Sequence, residues 1–156
     1  MAKIDSGIKI ICDNRKSHFN YELGERYEAG LMLNGTEVKS LRSGKAHLND
    51  AYAIIRKGEV FLINCHIGAY QARNYTEHEP ERSRKLLLHK KEIIKLIGRA
   101  EEKGYSLIPT KLYFKKGLAK IEIAIGKSKK MYDKRETIKK RENDRQIRRV
   151  LKEAKK

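Results

Sequence analysis

The side chains of this sequence that could carry out catalysis are scattered carboxylates and one histidine. Glu28, Glu37, Asp50 and His47 could in principle form a metal-dependent nuclease site. No motif brings them together, because the chain has no His-Glu-x-x-His, Gly-rich phosphate loop, Gly-x-Ser-x-Gly or carboxylates at metal-ligand spacing. In a chain of net charge +17, isolated carboxylates more often balance neighbouring cations. We therefore expect no catalytic residue, no cofactor and no enzymatic activity.

The cysteines and histidines likewise give no sign of a metal site. Cys12 and Cys65 lie 53 residues apart in apolar settings, which favours buried free thiols over a disulfide or half of a zinc site. The five histidines are dispersed, and no two of them are four residues apart. We expect no bound metal.

Cationic side chains are present in excess. The chain has 37 Lys and Arg against 20 Asp and Glu, and residues 127–156 alone carry 14 against 5. The electric field of this excess positive charge attracts nucleic acid, acidic proteins or anionic lipid. The chain has no Trp, and its body offers no helix with a bulky apolar face opposite Lys and Arg, which weakens the lipid option. Nucleic acid is the favoured partner.

Three segments of the body place Lys or Arg beside an aromatic ring, a histidine or an apolar anchor. They are NRKSHFNY (14–21), PERSRKLLLHKK (80–91) and LYFKKG (112–117). This combination suits contact with RNA backbone and bases. In the second segment we expect the leucines to anchor and the arginines to project. Solvated turns beside core residues are the alternative for each segment.

Alternating apolar and polar residues predict six strands in three hairpins. Six short strands favour a small closed antiparallel barrel, whose closure removes exposed edges, and a β-sandwich is the alternative. Pro109 suits an edge or a bulge within the third hairpin. The turns are expected at Asn34-Gly35, Lys57-Gly58 and Lys116-Gly117.

Two helices are predicted to flank the strands. Residues 89–104 place Ile93, Ile94, Ile97 and Ala100 at helical spacing, with Gly104 as a stop. A shorter helix is expected before the first hairpin, capped by Asp13 or Asn14.

The chain is predicted to consist of a body, residues 1–126, and a basic tail, residues 127–156. The tail has no Gly or Pro, and its thin apolar stripe is Ile147, Val150, Leu151 and Ala154. Burial of this stripe is too little to offset the ordering of the segment, so we expect disorder in the free protein and a helix on a polyanion.

The N-terminal residues show no apolar signal region, and no apolar stretch approaches the 18 residues of a membrane helix. We expect a cytoplasmic protein without a membrane partner.

Three long strings resemble the small protein B family, the bacterial proteins that bind transfer-messenger RNA. They are YEAGLMLNGTEVKSLRSGKAHLNDAY (27–52), RSRKLLLHKKEI (82–93) and KSKKMYDKR (127–135). The resemblance implies a monomeric OB-like barrel with flanking helices that holds the tRNA-like domain and delivers it to stalled ribosomes for trans-translation. It also implies that the tail lies in the empty messenger channel near the decoding site and is helical there. A basic ribosomal or general RNA-binding protein is the alternative, and a nuclease is a further one.

The resemblance also assigns site residues. Glu28 would accept hydrogen bonds from base edges or ribose hydroxyls, unless it forms a salt bridge within the barrel, and Lys120 would contact phosphate. Ser128 stands where the family usually has glycine. The implied RNA-contacting residues are Asn14, Tyr21, Glu28, Leu87 and Lys120, and the implied tail residues are Lys127, Lys129, Lys130, Tyr132, Asp133, Lys134 and Arg135, of which Tyr132 could stack on a ribosomal base.

Overall fold

The computed structural model describes residues 7–69 and 79–155, with the side chains of 131–133 left out. Strands dominate this part of the chain, and four helices flank them. The elements in chain order are β1 (Ile8–Asp13), α1 (Arg15–Asn20), β2 (Tyr21–Leu31), α2 (Gly35–Arg42), β3 (Ala46–His47), β4 (Tyr52–Arg56), β5 (Glu59–Ile63), β6 (His66–Ile67), β7 (Arg84–Leu87), α3 (Lys90–Ala100), β8 (Tyr105–Lys115), β9 (Leu118–Ser128) and α4 (Met131–Ala154).

Six antiparallel strands form a ring of hydrogen-bonded neighbours. Their order is β8, β4, β5, β7, β2 and β9, and β9 pairs again with β8. Strand β1 adds to β8 outside this ring, while β3 and β6 form a separate small sheet. The prediction of a mainly β protein with flanking helices is confirmed.

Two of the three predicted hairpin turns are present. Lys57 and Gly58 have φ angles of 52° and 75°, and Lys116 and Gly117 have 50° and 80°. Two consecutive residues with positive φ match the twist of antiparallel strands, which is why these turns join β4 to β5 and β8 to β9. The prediction for Pro109 is also confirmed, since the β8–β9 register shifts between Pro109 and Lys111.

The predicted hairpin at Asn34-Gly35 is wrong, because Asn34 precedes helix α2. The Glu37 carboxylate, three residues further on, accepts a hydrogen bond from the backbone N–H of Asn34 at 2.9 Å. This is half of a capping box, an arrangement that starts a helix. Asn serves both as a turn residue and as a helix cap, and Glu37 decides between the two.

The two predicted body helices are present, but the buried face of α3 differs from the predicted stripe, in which Ala100 as well as Ile94 is exposed. Asn14 caps α1, and its side-chain oxygen accepts from the Ser17 N–H. In α3 the buried residue is Leu96, whereas Ile94 is 60% exposed. Ile94 lies on the other side of the helix from the stripe that faces the sheet.

The apolar core fills the inside of the strand ring. Leu41 of α2 and Leu96 of α3 belong to the same buried cluster. Core side chains from the ring include Ala29, Val60, Leu62, Leu86, Leu107, Leu112, Ile121, Ile123 and Ile125.

A charged cluster is buried beside this core. The Arg84 side chain is 0% exposed, and its Nε donates to the Glu37 carboxylate, which is also 0% exposed. Arg84 Nη1 donates to the Cys65 carbonyl at 2.7 Å, and Arg82 donates to Glu37 at 2.6 Å. The prediction that the arginines of this segment project while its leucines anchor is therefore wrong for Arg84 and also for Leu87, which is 49% exposed.

Both cysteines are free thiols, as predicted. Cys65 is buried and Cys12 is half-buried. Burial raises the pKa of Cys65 to about 12 and that of Cys12 to about 11, so both are protonated at neutral pH.

The tail contains the longest helix, α4, with 24 residues. It touches the body near its start, where Lys134 and Arg141 lie over the Phe19 ring of α1 at 6.0 and 5.7 Å. Its apolar side chains Ile147 and Val150 are 57% and 63% exposed, so the stripe is not buried. Disorder of the free tail stays a prediction. None of the described helices is both long and apolar enough to cross a membrane.

Candidate nucleic-acid interface

The outer face of three adjacent strands, β2, β9 and β8, carries two of the implied RNA residues, Glu28 and Lys120. Glu28 lies opposite Glu122 across β2 and β9, and Gly30 lies opposite Lys120. Lys120 in turn lies opposite Tyr113 of β8. Because directly paired residues of antiparallel strands point to the same side of a sheet, these side chains share one face.

This face opens into a depression of about 680 Å³ between the sheet and the start of α3. Glu28, Leu87 and Lys120, all assigned to RNA by the resemblance, line it together. His89 and Ile93 complete the wall on the side of α3. The depression therefore combines an acceptor, an apolar side chain and a cation within one site.

Three carboxylates line this depression, those of Glu28, Glu59 and Glu92, and Glu28 is the one that the resemblance assigns to RNA. One of its oxygens accepts a short hydrogen bond from the Tyr113 hydroxyl, and Lys115 Nζ lies 3.4 Å away. The Tyr113 hydrogen bond, followed by the contact with Lys115, lowers the pKa of Glu28 against the opposing effect of burial. Glu28 is thus a carboxylate at neutral pH, and its side chain is 37% exposed.

Glu122, on the same face, is held differently. Its Oε1 accepts from Arg26 at 2.9 Å and from the Thr110 hydroxyl at 2.7 Å. Burial opposes ionisation, but these hydrogen bonds and the Arg26 charge lower the pKa of Glu122. The Glu122 side chain is 22% exposed, against 37% for Glu28, so it is less accessible to an external donor.

Leu87 projects outward because of its place in β7. Arg84 and Leu86 face inward, at 0% and 1% exposed, and alternation turns Leu87 to the outside. Its cross-strand partner is Gly30, where an added Cβ would lie 3.4 Å from the Leu87 Cβ. The glycine leaves Leu87 room beside strand β2.

Asn14 and Tyr21 lie elsewhere, in a second cavity of about 780 Å³. Asn14 is only 5% exposed, and its side-chain amide donates to the Pro109 carbonyl at 2.9 Å. It therefore fastens α1 to the bulge of β8. Tyr21 is half-buried beside it. The five RNA residues implied by the resemblance fall into a group of three and a group of two.

The implied tail residues surround the junction of β9 and α4. Lys127 is exposed near the end of β9, and Lys130 caps α4. The backbone N–H of Lys129 donates to the Asn20 carbonyl at 2.9 Å, and its Nζ donates to the His18 carbonyl at 3.2 Å. Arg135 is exposed and Lys134 lies over Phe19, while the Tyr132 and Asp133 side chains lie outside the described part.

Ser128 ends β9 opposite Tyr21 and has no positive φ. The strand thus passes into the tail without a backbone conformation that requires glycine.

Sequence reasoning missed the residues that hold Glu28. Tyr113 and Lys115 belong to the segment LYFKKG (112–117), which was selected for its charge and aromatic rings. Alternation about Leu112 and Phe114, both buried, places Tyr113 and Lys115 together on the opposite face. The pairing with β9 that brings Glu28 near them has no local signal in the sequence. No three metal-binding side chains cluster anywhere in residues 7–69 and 79–155.

A mainly β body with an outward-facing mixed cluster and a long cationic helix defines the class, a basic protein suited to polyanionic partners. The chain belongs to the SmpB protein family, whose model matches residues 11–153. The resemblance to small protein B is thereby confirmed.

Individual relatives agree with this family. The SsrA-binding protein of Geobacter sulfurreducens is 55% identical over 94% of this chain and 96% of its own length. That of Trichodesmium erythraeum is 54% identical over 97% of both. A solved structure described as "tmRNA-SmpB: a journey to the center of the bacterial ribosome" is 44% identical, with a TM-score of 0.66 over 77% of this chain and 85% of that chain.

Proposed function

We propose that this protein binds the tRNA-like domain of transfer-messenger RNA and delivers it to stalled ribosomes for trans-translation. The observation that carries the proposal is the meeting of Glu28, Leu87 and Lys120 in one depression. The family and the names of its relatives supply the identity of the RNA. The geometry supplies the surface.

The three side chains suit folded RNA in different ways. The Glu28 carboxylate can accept hydrogen bonds from ribose hydroxyls or from base amino groups. An ionised phosphate has no such donor to offer it. Leu87 offers an exposed apolar contact for a sugar or a base, and Lys120 contacts phosphate. A surface with all three favours one arrangement of RNA over polyanions in general.

The finer architecture is part of the same proposal. The ring of six strands is an OB-like barrel, with residues 1–126 as the RNA-binding body and 127–156 as the tail. The protein acts as a cytoplasmic monomer and has no catalytic chemistry. The exposed cations of α4 support a role for the tail along RNA.

The ribosome meets a different part of the molecule in this proposal. The tail residues implied by the resemblance, from Lys127 to Arg135, leave the body beside Tyr21, far along β2 from Glu28. The body can therefore hold the tRNA-like domain at the Glu28 depression while the tail lies in the messenger channel. Asn14 takes part by fixing α1 in place.

Competition binding tests the proposal. Labelled transfer-messenger RNA is bound to the full chain and displaced with unlabelled transfer-messenger RNA or bulk tRNA at the same salt concentration. We expect bulk tRNA to compete at least tenfold more weakly. Equal competition would support the alternative, a general RNA-binding protein driven by its charge of +17.

A further inference from the structure

Tyr113 is a nearly buried phenol whose hydroxyl donates to Glu28. We propose that Tyr113 is the positioning residue of the RNA site: it holds the Glu28 carboxylate as an oriented acceptor, so that the site selects RNA hydroxyl or amino donors over phosphate. This inference rests on the proposed function, because it assigns a role within the same depression.

The register of the sheet explains how the two side chains meet. Tyr113 lies on β8 and Glu28 on β2, with β9 between them. Two strand spacings, about 9–10 Å, separate β8 from β2. The Tyr113 side chain extends across β9 beside Lys120, its cross-strand partner, and reaches the carboxylate from the far side. Because Tyr113 as a whole is only 6% exposed, its side chain is packed on most sides, which restricts the direction of its hydroxyl.

Glu28 keeps acceptor capacity for an external donor. A carboxylate can accept about four hydrogen bonds. Tyr113 uses a position on Oε2, and Lys115 Nζ lies 3.5 Å from Oε1 and 3.4 Å from Oε2, at the long limit for hydrogen bonds. Among the described residues Oε1 accepts only this long hydrogen bond from Lys115, so it keeps acceptor capacity for a ligand.

The negative charge of Glu28 makes this position selective for RNA groups that donate hydrogen bonds. A bare carboxylate repels phosphate, so it weakens polyanion binding unless the RNA presents a donor to it. The Tyr113 hydroxyl favours the charged form and opposes the effect of burial on the Glu28 pKa. The other charged or titratable groups that face this carboxylate are Lys115 on β8, Lys120 and Glu122 on β9, Lys85 on β7, Glu59 on β5, and His89 and Glu92 at the start of α3.

The test measures, for each variant, the ratio of affinities for transfer-messenger RNA and bulk tRNA. Tyr113→Phe keeps the ring and removes the donor, and we expect the ratio to fall about tenfold or more, since a hydrogen bond to a charged group contributes roughly a factor of this size. Glu28→Asp keeps the charge but has a side chain one methylene shorter, and we expect the affinity ratio to fall by the same factor. Glu28→Gln should lose at least as much, and the double variant Glu28→Gln, Tyr113→Phe should bind like Glu28→Gln alone.

A direct readout separates positioning from a merely structural effect. The Glu28 carboxyl is titrated by NMR in the free protein, and we expect its pKa to rise in Tyr113→Phe. Tyr27→Phe is the matched control, because it removes a phenol donor to a carboxylate, Glu25 at 2.7 Å, outside the depression; it should leave both the affinity ratio and the pKa of Glu28 unchanged.

The outcomes distinguish the two proposals. If Glu28→Gln lowers the ratio while Tyr113→Phe and Glu28→Asp leave it at the wild-type value, the role of Tyr113 is overturned and the RNA site stands. If Glu28→Gln itself binds both RNAs as the wild type does, the assignment of Glu28 to the RNA surface fails. Glu28→Asp alters only an exposed side chain, so the inference can be refuted even if Tyr113→Phe does not fold.

Discussion

Replacing Glu37 by Gln should destabilise the fold strongly, because it leaves Arg84 charged and buried without its ionic partner. Both side chains are 0% exposed, and within residues 7–69 and 79–155 the further hydrogen bonds of Arg84 go only to backbone carbonyls, those of Cys65, Glu79 and Pro80. Breaking one side of a buried ion pair costs about 3–5 kcal/mol. Domains are stable by about 5–15 kcal/mol, so this change removes a large share of the stability.

Thermal unfolding measures the effect. At about 2–4 °C per kcal/mol for a chain of this size, a loss of 3 kcal/mol lowers the Tm by about 6–12 °C. Glu59→Gln is the matched control, because Glu59 pairs with Lys85 at 3.1 Å on the surface, where ion pairs contribute about 1 kcal/mol or less. A Glu37→Gln protein that melts within 2 °C or so of this control would refute the reasoning.

The same pair predicts a pH dependence. The hydrogen bonds from Arg82, Asn34 and Arg84 outweigh the effect of burial and lower the pKa of Glu37. A carboxylate with a lowered pKa in the folded state stabilises the fold above its unfolded pKa, and this contribution is lost as the pH falls through the folded pKa. The difference in Tm between wild type and Glu37→Gln should therefore be full at pH 7 and shrink as the solution is acidified below the unfolded pKa.

Four further results are expected. Lys120→Ala should reduce the slope of log affinity for transfer-messenger RNA against log salt by about one, and an unchanged slope would mean that Lys120 does not contact phosphate. Leu87→Ala should weaken RNA binding but lower the stability by no more than about 1 kcal/mol, because the side chain is 49% exposed; a large loss in chemical denaturation would contradict this. Removal of residues 127–156 should leave RNA binding in place. It should sharply reduce peptidyl transfer to the alanine of transfer-messenger RNA on ribosomes stalled without downstream messenger. Transfer at the full rate would mean that the tail only increases the affinity for RNA. Cys65 should resist a thiol reagent at pH 8 until the protein unfolds, and reaction of both thiols in the native state would contradict its burial.

Local patterns predicted the elements whose signals are self-contained. The turns at Lys57-Gly58 and Lys116-Gly117 lie between alternating runs, and the same two residues determine both the turn and the register. Asn34-Gly35 looked equivalent, but Asn also begins helices, and the deciding interaction comes from Glu37. A check of the third residue after each Asn would have found the helix.

Long-range pairing explains what the sequence could not predict. Arg84 is buried because Glu37, 47 residues away, neutralises its charge. No residue near Arg84 in the sequence indicates that Glu37 is its partner. Tyr113 and Glu28 are 85 residues apart and meet only through the β2–β9–β8 register. The assignment of Glu28, Leu87 and Lys120 to RNA, with Asn14 and Tyr21, came from the family resemblance, since the residues themselves indicate only a basic RNA-binding surface. The grouping of the first three in one depression came from the structure.

The attachment of α4 to α1 has a mechanical consequence. Lys129, just before α4, donates to Asn20 of α1, and Lys134 and Arg141 of α4 lie over the Phe19 ring. The helix, of 24 residues and about 36 Å long, thus contacts α1 near its start, while its far half has exposed side chains. A tilt of about 10° where α4 contacts α1 would displace the C-terminal end of the helix by about 6 Å. Because Asn14 ties α1 to Pro109 in β8, a load on the tip is transmitted to a strand that also pairs with β1, β4 and β9. Force applied to the tail thus reaches the sheet that carries Tyr113.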